Sequence, residues 1–275
     1  MIDFSLWLLI IPILLLVGAI AGTLAGLLGV GGGIVIVPVL YWLTETGLLQ
    51  VDQSVAIHFA VATSLATIIP TSISSARAHH KKGSIDLEMF HAWAPWMVFG
   101  ALLGGLLAAK FDASLLSGVF GVIAVIVVIN MVNPKPFTLA KAPPKSIMAK
   151  AIIAGPIGAF SAMMGIGGGT LSVPILTLLS FPVHRAVGTA SLFGLTIAVP
   201  GVLGFAFAGQ NINGLLPISL GYINLPAAVT ISIATFFCAP LGVKIAHRLN
   251  ASGLRLAFAV FLGISGIKML SETFL

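Results

Sequence analysis

Two glycine runs, Gly29-Val30-Gly31-Gly32-Gly33 and Gly165-Ile166-Gly167-Gly168-Gly169, have the most to offer a ligand. Glycine has the freest backbone of any residue, and a cluster of it interrupts a helix and frees peptide N–H groups from their i−4 carbonyl partners. Each run leads straight into a short apolar segment, beginning at Ile34 in one case and Thr170 in the other. The freed amides therefore fall at the N-terminus of a short helix, where the helix dipole adds partial positive charge. Gly31, Gly32, Gly33, Gly167, Gly168 and Gly169 are accordingly the candidate substrate-binding residues, and a small anion is the ligand they suit. The competing reading is that these glycines only let helices approach closely. A dinucleotide-binding turn does not fit, because no soluble strand–helix unit surrounds either run.

Hydroxyl side chains add neutral donors. Thr63, Thr67, Thr71 and Ser74 share one helical face with Ser64 beside it, and the second half offers Thr189, Ser191 and Thr196. Such groups donate to oxyanion oxygens without carrying charge into an apolar medium, although Ser and Thr in helices also bond to their own backbone. Thr63, Ser64, Thr189 and Ser191 join the binding candidates. Arg77 and Arg185 carry the charge to attract anions, and serve equally well as ordinary topology determinants. His58 and His184 open equivalent segments and titrate near neutral pH, which suits them to proton coupling or to plain interfacial hydrogen bonding. There is no HExxH, no GxSxG, no paired carboxylates and no Cys/His cluster, so no enzyme chemistry, metal or cofactor is expected. The single cysteine, Cys238, cannot form an intrachain disulfide.

The elements that position these residues must live in lipid. Of the 275 residues, 59% are hydrophobic and 7% charged, with a mean hydropathy of +1.16; soluble domains carry about a quarter charged residues. No charge lies between Asp3 and Glu45, Asp52 and Arg77, Glu88 and Lys110, Asp112 and Lys135, Lys150 and Arg185, or Arg185 and Lys244. Such gaps hold spans of roughly 20 residues, without the alternation of a membrane barrel. The predicted class is an all-α polytopic membrane helix bundle, with the bilayer as its solvent. The net charge of +6 resides in loops between spans, which fits cytoplasmic retention rather than nucleic acid. The N-terminus lacks a signal peptide's basic flank and cleavage site, so its apolar run is expected to be retained.

The chain also repeats itself. Residues 22–40 align without gaps on 158–176, 58–63 on 184–189, 83–86 on 221–224, and 107–114 on 245–252. Two repeats, 1–134 and 146–275, are expected, joined by a Lys/Pro-rich cytoplasmic linker at 135–145 whose prolines break any helix. Each repeat reads as five hydrophobic elements: 6–28, 34–44, 54–76, 89–109 and 114–133, then 147–164, 170–180, 187–208, 223–243 and 255–272. That gives about eight full spans and two short half-helices, the latter too short to cross.

Loop charge sets the relation between the repeats. With Arg77, Lys81, Lys82, Arg185 and the linker in the cytoplasm, eleven of the thirteen Lys/Arg fall inside and Lys110 falls outside. A parallel duplication would divide them more evenly, so an inverted repeat with external termini is predicted. Gly18, Gly22 and Gly26, matched by Ala154, Gly158 and Ala162, make a small-xxx-small packing face. Pro38 and Pro174 read as helix kinks.

At 21–40, in its second copy, and at Ala60-Val-Ala-Thr63-Ser64, Ala186-Val-Gly-Thr189 and Ile223-Asn-Leu-Pro226, the sequence resembles the TauE/SafE family of sulfite exporters. The resemblance spans essentially the whole chain, with one departure: Ala190 occupies the place of Ser64 in the second copy, displacing Ser191. The resemblance implies export of sulfite, sulfonates or related small organosulfur anions through the cytoplasmic membrane. Together the readings predict a multi-pass secondary transporter with alternating access around a midplane pocket. An anion channel and a non-transporting scaffold or sensor are the rivals, and homo-oligomeric assembly is left open.

Overall fold

The structure is a computed structural model that describes residues 4–108, 138–144, 146–210 and 214–274, with scattered positions between 118 and 133. Lys110 and most of the expected element at 114–133 lie outside the described residues. The first half of the chain forms α1 (Phe4–Leu28), α2 (Gly33–Glu45), α3 (Ala56–Lys81) and α4 (Leu87–Leu107). The second half forms α5 (Ile147–Met163), α6 (Gly169–Leu178), α7 (Val183–Ala208), α8 (Leu225–Ala246) and α9 (Ala251–Phe274). Among the described residues, five helices are long and apolar enough to cross a membrane: α1 over Leu9–Leu28, then α3, α4, α7 and α8. The short elements α2 and α6 have 13 and 10 residues; at 1.5 Å per residue they are about 20 and 15 Å long against roughly 30 Å of hydrocarbon.

Two differences from the sequence reading have simple causes. Helix α3 continues to Lys81 and α7 begins at Val183, so Arg77, His79, His184 and Arg185 sit on regular helix rather than in loops. Charged residues end a hydrophobic run without ending a helix, because their backbone still bonds and their heads reach water. A two-stranded hairpin, β1 (Ser219–Leu220) with β2 (Ile223–Asn224), is also present, paired Ser219 to Asn224 and Leu220 to Ile223. Gly221, at φ +54°, makes its turn. Two-residue strands carry no usable alternation, so the sequence held no signal for them.

Small residues decide how the helices meet. A Cβ added at Gly18, Gly22 or Gly26 would meet Ile231, Thr235 and Ala239 in that order. Contacts that advance together mean α1 and α8 run in the same direction. Thr63, Thr71 and Ser74 meet Asn224, Thr235 and Phe236, so α3 runs the same way. Gly104 and Gly158 bring α4 against α5. Asp86 meets Thr189 and Gly105 meets Gly201, so α4 runs with α7. Gly188, Gly194 and Gly201 meet Ser84, Ser72 and Leu65 in descending order, so α7 opposes α3. The largest fully buried side chains, among them Trp93, Phe59 and Phe193, fill the centre, whereas Leu16, Phe99, Phe207 and Phe237 face outward, as lipid-facing positions do.

These backbone contacts leave no space for a methyl group. At Gly26 a Cβ would overlap the Ala239 carbonyl, and at Gly242 the Thr23 carbonyl. Gly26→Ala and Gly242→Ala are each expected to destabilise by about 1–3 kcal/mol, the usual cost of overpacking. Gly155→Ala, in a helix with nothing within 4 Å, should be neutral or slightly stabilising. Thermal unfolding of detergent-purified protein checks the contrast.

Candidate functional site

Helix α1 stops at Leu28 and α5 at Met163, and both breaks are glycine turns. Gly29, Gly31 and Gly32 have φ of +70°, +76° and +85°, and Gly165 has +67°, a region that L side chains enter only at a cost of about 1–2 kcal/mol. Gly32 and Gly168 occupy the N-caps of α2 and α6, with no side-chain cap at either. The two turns meet at the backbone. A Cβ at Gly31 would lie 3.0 Å from the Gly167 Cα, one at Gly33 would overlap the Gly165 carbonyl, and one at Gly169 the Gly29 carbonyl. The N–H groups of Gly29, Gly165 and Ile166 bond to Ala25, Ala162 and Ser161. Those of Gly31, Gly32, Gly167 and Gly168 have no such bond among the described residues. Two uncapped helix N-termini, one per repeat, thus converge through opposed glycine turns.

The hydroxyls divide by what they hold. Thr63 Oγ1 accepts the Asn224 N–H (3.1 Å), and Thr189 Oγ1 accepts the Asp86 N–H (2.9 Å). Asp86 and Asn224 are themselves N-caps: Asp86 Oδ1 accepts from Met89 N–H at 2.9 Å and Asn224 Oδ1 from Ala227 N–H at 3.0 Å. Each repeat's threonine therefore anchors the start of a helix from the other repeat. Ser64 Oγ donates to the Gly165 carbonyl (2.9 Å), crossing from α3 to the second glycine turn. Ser191 instead donates to Gly188 in its own helix (2.6 Å), the local bond that helical serines favour. Ala190, at the position matching Ser64, has no hydroxyl to make the crossing.

From Ser64 a row of hydroxyls runs along α3. Thr67 donates to the Ser64 carbonyl, Thr71 to the Thr67 carbonyl, and Ser74 to the Phe236 carbonyl, while Thr71 Oγ1 can accept from Thr235 Oγ1 at 2.6 Å. All four α3 side chains are buried. Ten residues of helix span about 15 Å, and this row ends at a cavity of about 310 Å³ between α3 and α8. Ser74, Arg77, Lys81, Lys82 and Lys244 line it beside Phe236 and Pro240. Arg77 thus belongs to a basic vestibule with three lysines. Arg185 is committed elsewhere, its Nη2 lying 2.6 Å from Asp86 Oδ2 and its guanidinium 5.8 Å from the Phe181 ring centre.

His58 and His184 do not stack on one another. His58 stacks on Tyr222 at 5.2 Å, and His184 on His247 at 6.1 Å. Two residues that the sequence reading passed over flank the second glycine turn: Ser161, at the end of α5, and Thr170, in the first turn of α6. Both are fully buried, and neither hydroxyl has a partner among the described residues. An unpaired buried hydroxyl is costly, so each has donor capacity for a ligand at the turn. Their first-repeat counterparts, Ala25 and Ile34, lack hydroxyls, so the repeat comparison did not single them out. No group of three or more His, Cys, Asp or Glu suited to a metal occurs among the described residues.

Comparison with known proteins finds membrane transporters. The profile of the family described as sulfite exporter TauE/SafE matches residues 14–269. A probable membrane transporter protein of Haemophilus influenzae is 36% identical over 259 residues, covering 93% of this chain and 96% of its own. One from Methanocaldococcus jannaschii is 30% identical over 273 residues, covering 96% and 97%. The probable membrane transporter protein YunE of Bacillus subtilis is 28% identical over 288 residues, covering 94% and 97%. No solved structure matches the chain.

Proposed function

We propose, since the chain belongs to the sulfite exporter TauE/SafE family and is a multi-pass membrane transporter, that it exports sulfite or a related small organosulfur anion across the cell membrane. The observation that carries this reading is the meeting of two uncapped helix N-termini at opposed glycine turns. Backbone N–H groups and dipole ends bind anions without placing a full positive charge in lipid. Gly31, Gly32, Gly167 and Gly168 supply the amides, Thr170 and Ser161 add hydroxyls, and Ser64 fixes the second turn. Thr63 and Thr189 keep the two repeats in register, and Arg77 draws the anion into the vestibule.

Residues 1–134 and 146–275 act as two inverted repeats joined by the linker at 135–145. Helix direction supports the inversion. Helices α1, α3 and α8 run one way and α4, α5 and α7 the other, so every matched pair (α1 with α5, α3 with α7, α4 with α8) is opposed. Export follows by alternating access, one repeat rocking against the other around the glycine turns, with the hydroxyl row of α3 as the path from the vestibule. An anion leaving a negative interior gains about 2.3 kcal/mol per charge per 100 mV, which is sufficient drive.

The test is flux in proteoliposomes, with sulfite, sulfate, taurine and a thiol compared at a fixed membrane potential. Sulfite flux that saturates and responds to potential is expected. Arg77→Gln combined with Lys244→Gln should raise KM several-fold with little change in maximal rate, and lessen its dependence on salt, because vestibule charge concentrates the anion rather than binding it tightly. Flux that never saturates points to a channel, and no flux of any anion overturns the reading.

A further inference from the structure

At the vestibule end, three histidines from three different segments come together. His79, in the last turn of α3, lies 5.5 Å ring to ring from His247, the C-cap of α8, and His184, in the first turn of α7, lies 6.1 Å from His247. His79 is buried. Its Nε2 is 3.0 Å from the Gly26 carbonyl of α1 and its Nδ1 3.1 Å from Ser84 Oγ. A carbonyl only accepts, so in the neutral ring Nε2 carries the proton and Nδ1 accepts from Ser84 Oγ, which also lies 3.1 Å from the His79 carbonyl. The Nε2 of His247 is buried and without a partner among the described residues. Four helices, α1, α3, α7 and α8, are thus tied at this end through imidazole rings, one of which has a free site for a proton or a lone pair.

The surroundings favour the neutral form of the His247 ring. Lys82 acts on His247, and burial together with His184 and Lys82 holds the His247 imidazole below its usual value of 6.5. Lys244 lies one turn before His247 and faces the vestibule. Helix α1 has no ionisable side chain. Asp86 is the acidic residue of the 82–86 loop, and its carboxylate is taken by Arg185. Neutral rings can stack at these distances; charged ones repel each other and the lysines.

The opposite end of the molecule is built differently at the matching positions. His58 answers to His184, Tyr222 to Ser84 and Phe205 to His79. There Tyr222 stacks on His58 and meets Phe205 edge-on at 6.2 Å. One end thus gathers three imidazoles, whereas the other holds one, His58, whose Nδ1 is also buried without a partner among the described residues, against the rings of Tyr222 and Phe205.

We propose that His79, His184 and His247 form a proton-binding site that opens the vestibule end when occupied. At neutral pH the rings hold α3, α7 and α8 together around the inner end of the vestibule. As pH falls and His247 takes up a proton, like-charge repulsion with Lys82 and the neighbouring rings separates these segments and exposes the hydroxyl row of α3. Its role in coupling rests on the transport reading; the proton-driven opening does not.

The experiment reads accessibility rather than flux. A thiol is placed at Ala78, which lines the vestibule, in a Cys238→Ser background, and a reference thiol is placed at exposed Thr46 in a second protein. Both are labelled with maleimide in nanodiscs from pH 7.5 to 5.0. The ratio of the two rates is compared with the same ratio in His247→Gln, where thiol ionisation beside the vestibule cations is the same, and is expected to rise at least severalfold more below pH 6 with all three histidines present, because the glutamine side chain takes up no proton. His184→Gln should respond as His247→Gln does. A flat ratio with all three histidines present overturns the proposal, as does an undiminished rise in both variants. Proteoliposome flux of the same proteins is scored separately: its absence removes the transport reading and leaves the accessibility result standing.

Discussion

Gly32→Ala is expected to abolish most anion flux while the protein still inserts and purifies as a folded species. Gly32 sits at φ +85° and caps α2, and a Cβ there would lie 3.0 Å from the Ala21 carbonyl and 3.2 Å from the Ala21 Cβ. Left-handed backbone alone costs an L residue about 1–2 kcal/mol, and crowding against α1 adds to it. The chain relieves both by moving the start of α2, which takes the amides of Gly31 and Gly32 off their aim. At a factor of ten per 1.4 kcal/mol, a loss of about 2 kcal/mol at the transport barrier lowers flux roughly 30-fold. Gly47→Ala is the control: it carries a comparable φ of +74° with nothing within 4 Å. It should cost the left-handed backbone term alone, without the crowding, and leave flux near normal. Equal flux loss in both variants would reduce the Gly32 effect to general destabilisation.

The second large effect is on stability. Thr63→Val keeps the volume of the side chain and removes the acceptor of the Asn224 N–H, a bond buried between α3 and the start of α8. Leaving one partner of a buried hydrogen bond unpaired costs about 1–3 kcal/mol. Thr189→Val removes the matching bond to Asp86, which is only partly buried, so water can serve the orphaned N–H and the cost should be smaller. Thr63→Ser and Thr189→Ser should restore most of each loss. The two sites share no partner, so the double valine variant should lose close to the sum. Melting temperatures in detergent check all five. A Thr63→Val protein as stable as its parent would mean that this bond does not hold the repeats together.

Much of the site was legible before the structure because it is written in residue type and repetition. Glycine runs at both copies announced the helix breaks, and the agreement of Thr63 with Thr189 and of Asp86 with Asn224 marked positions that the fold turns out to pair. Pairing across repeats was not legible: the sequence aligned Thr63 with Thr189, whereas each bonds the other repeat's helix start. Charge partners were hidden for the same reason. Arg185 and Asp86 lie 99 positions apart in the sequence and meet only because α4 runs alongside α7. The histidine cluster depends on α3 reaching Lys81 and α7 beginning at Val183, whereas hydropathy placed both residues in loops. Ser161 and Thr170 escaped because repeat comparison rewards agreement, and at these positions the second copy differs from the first. The element at 114–133 lies mostly outside the described residues.

The claim on which the rest depends is that peptide N–H groups at the two glycine turns hold the transported anion. Selenite is a close chemical relative of sulfite whose selenium scatters anomalously, so crystals of protein shown to transport selenite locate the anion directly. An anomalous peak between residues 29–33 and 165–169, lost in Gly32→Ala, is the predicted result. Selenium confined to the vestibule beside Arg77 and Lys244, with the glycine turns packed and unoccupied while flux is intact, would contradict it.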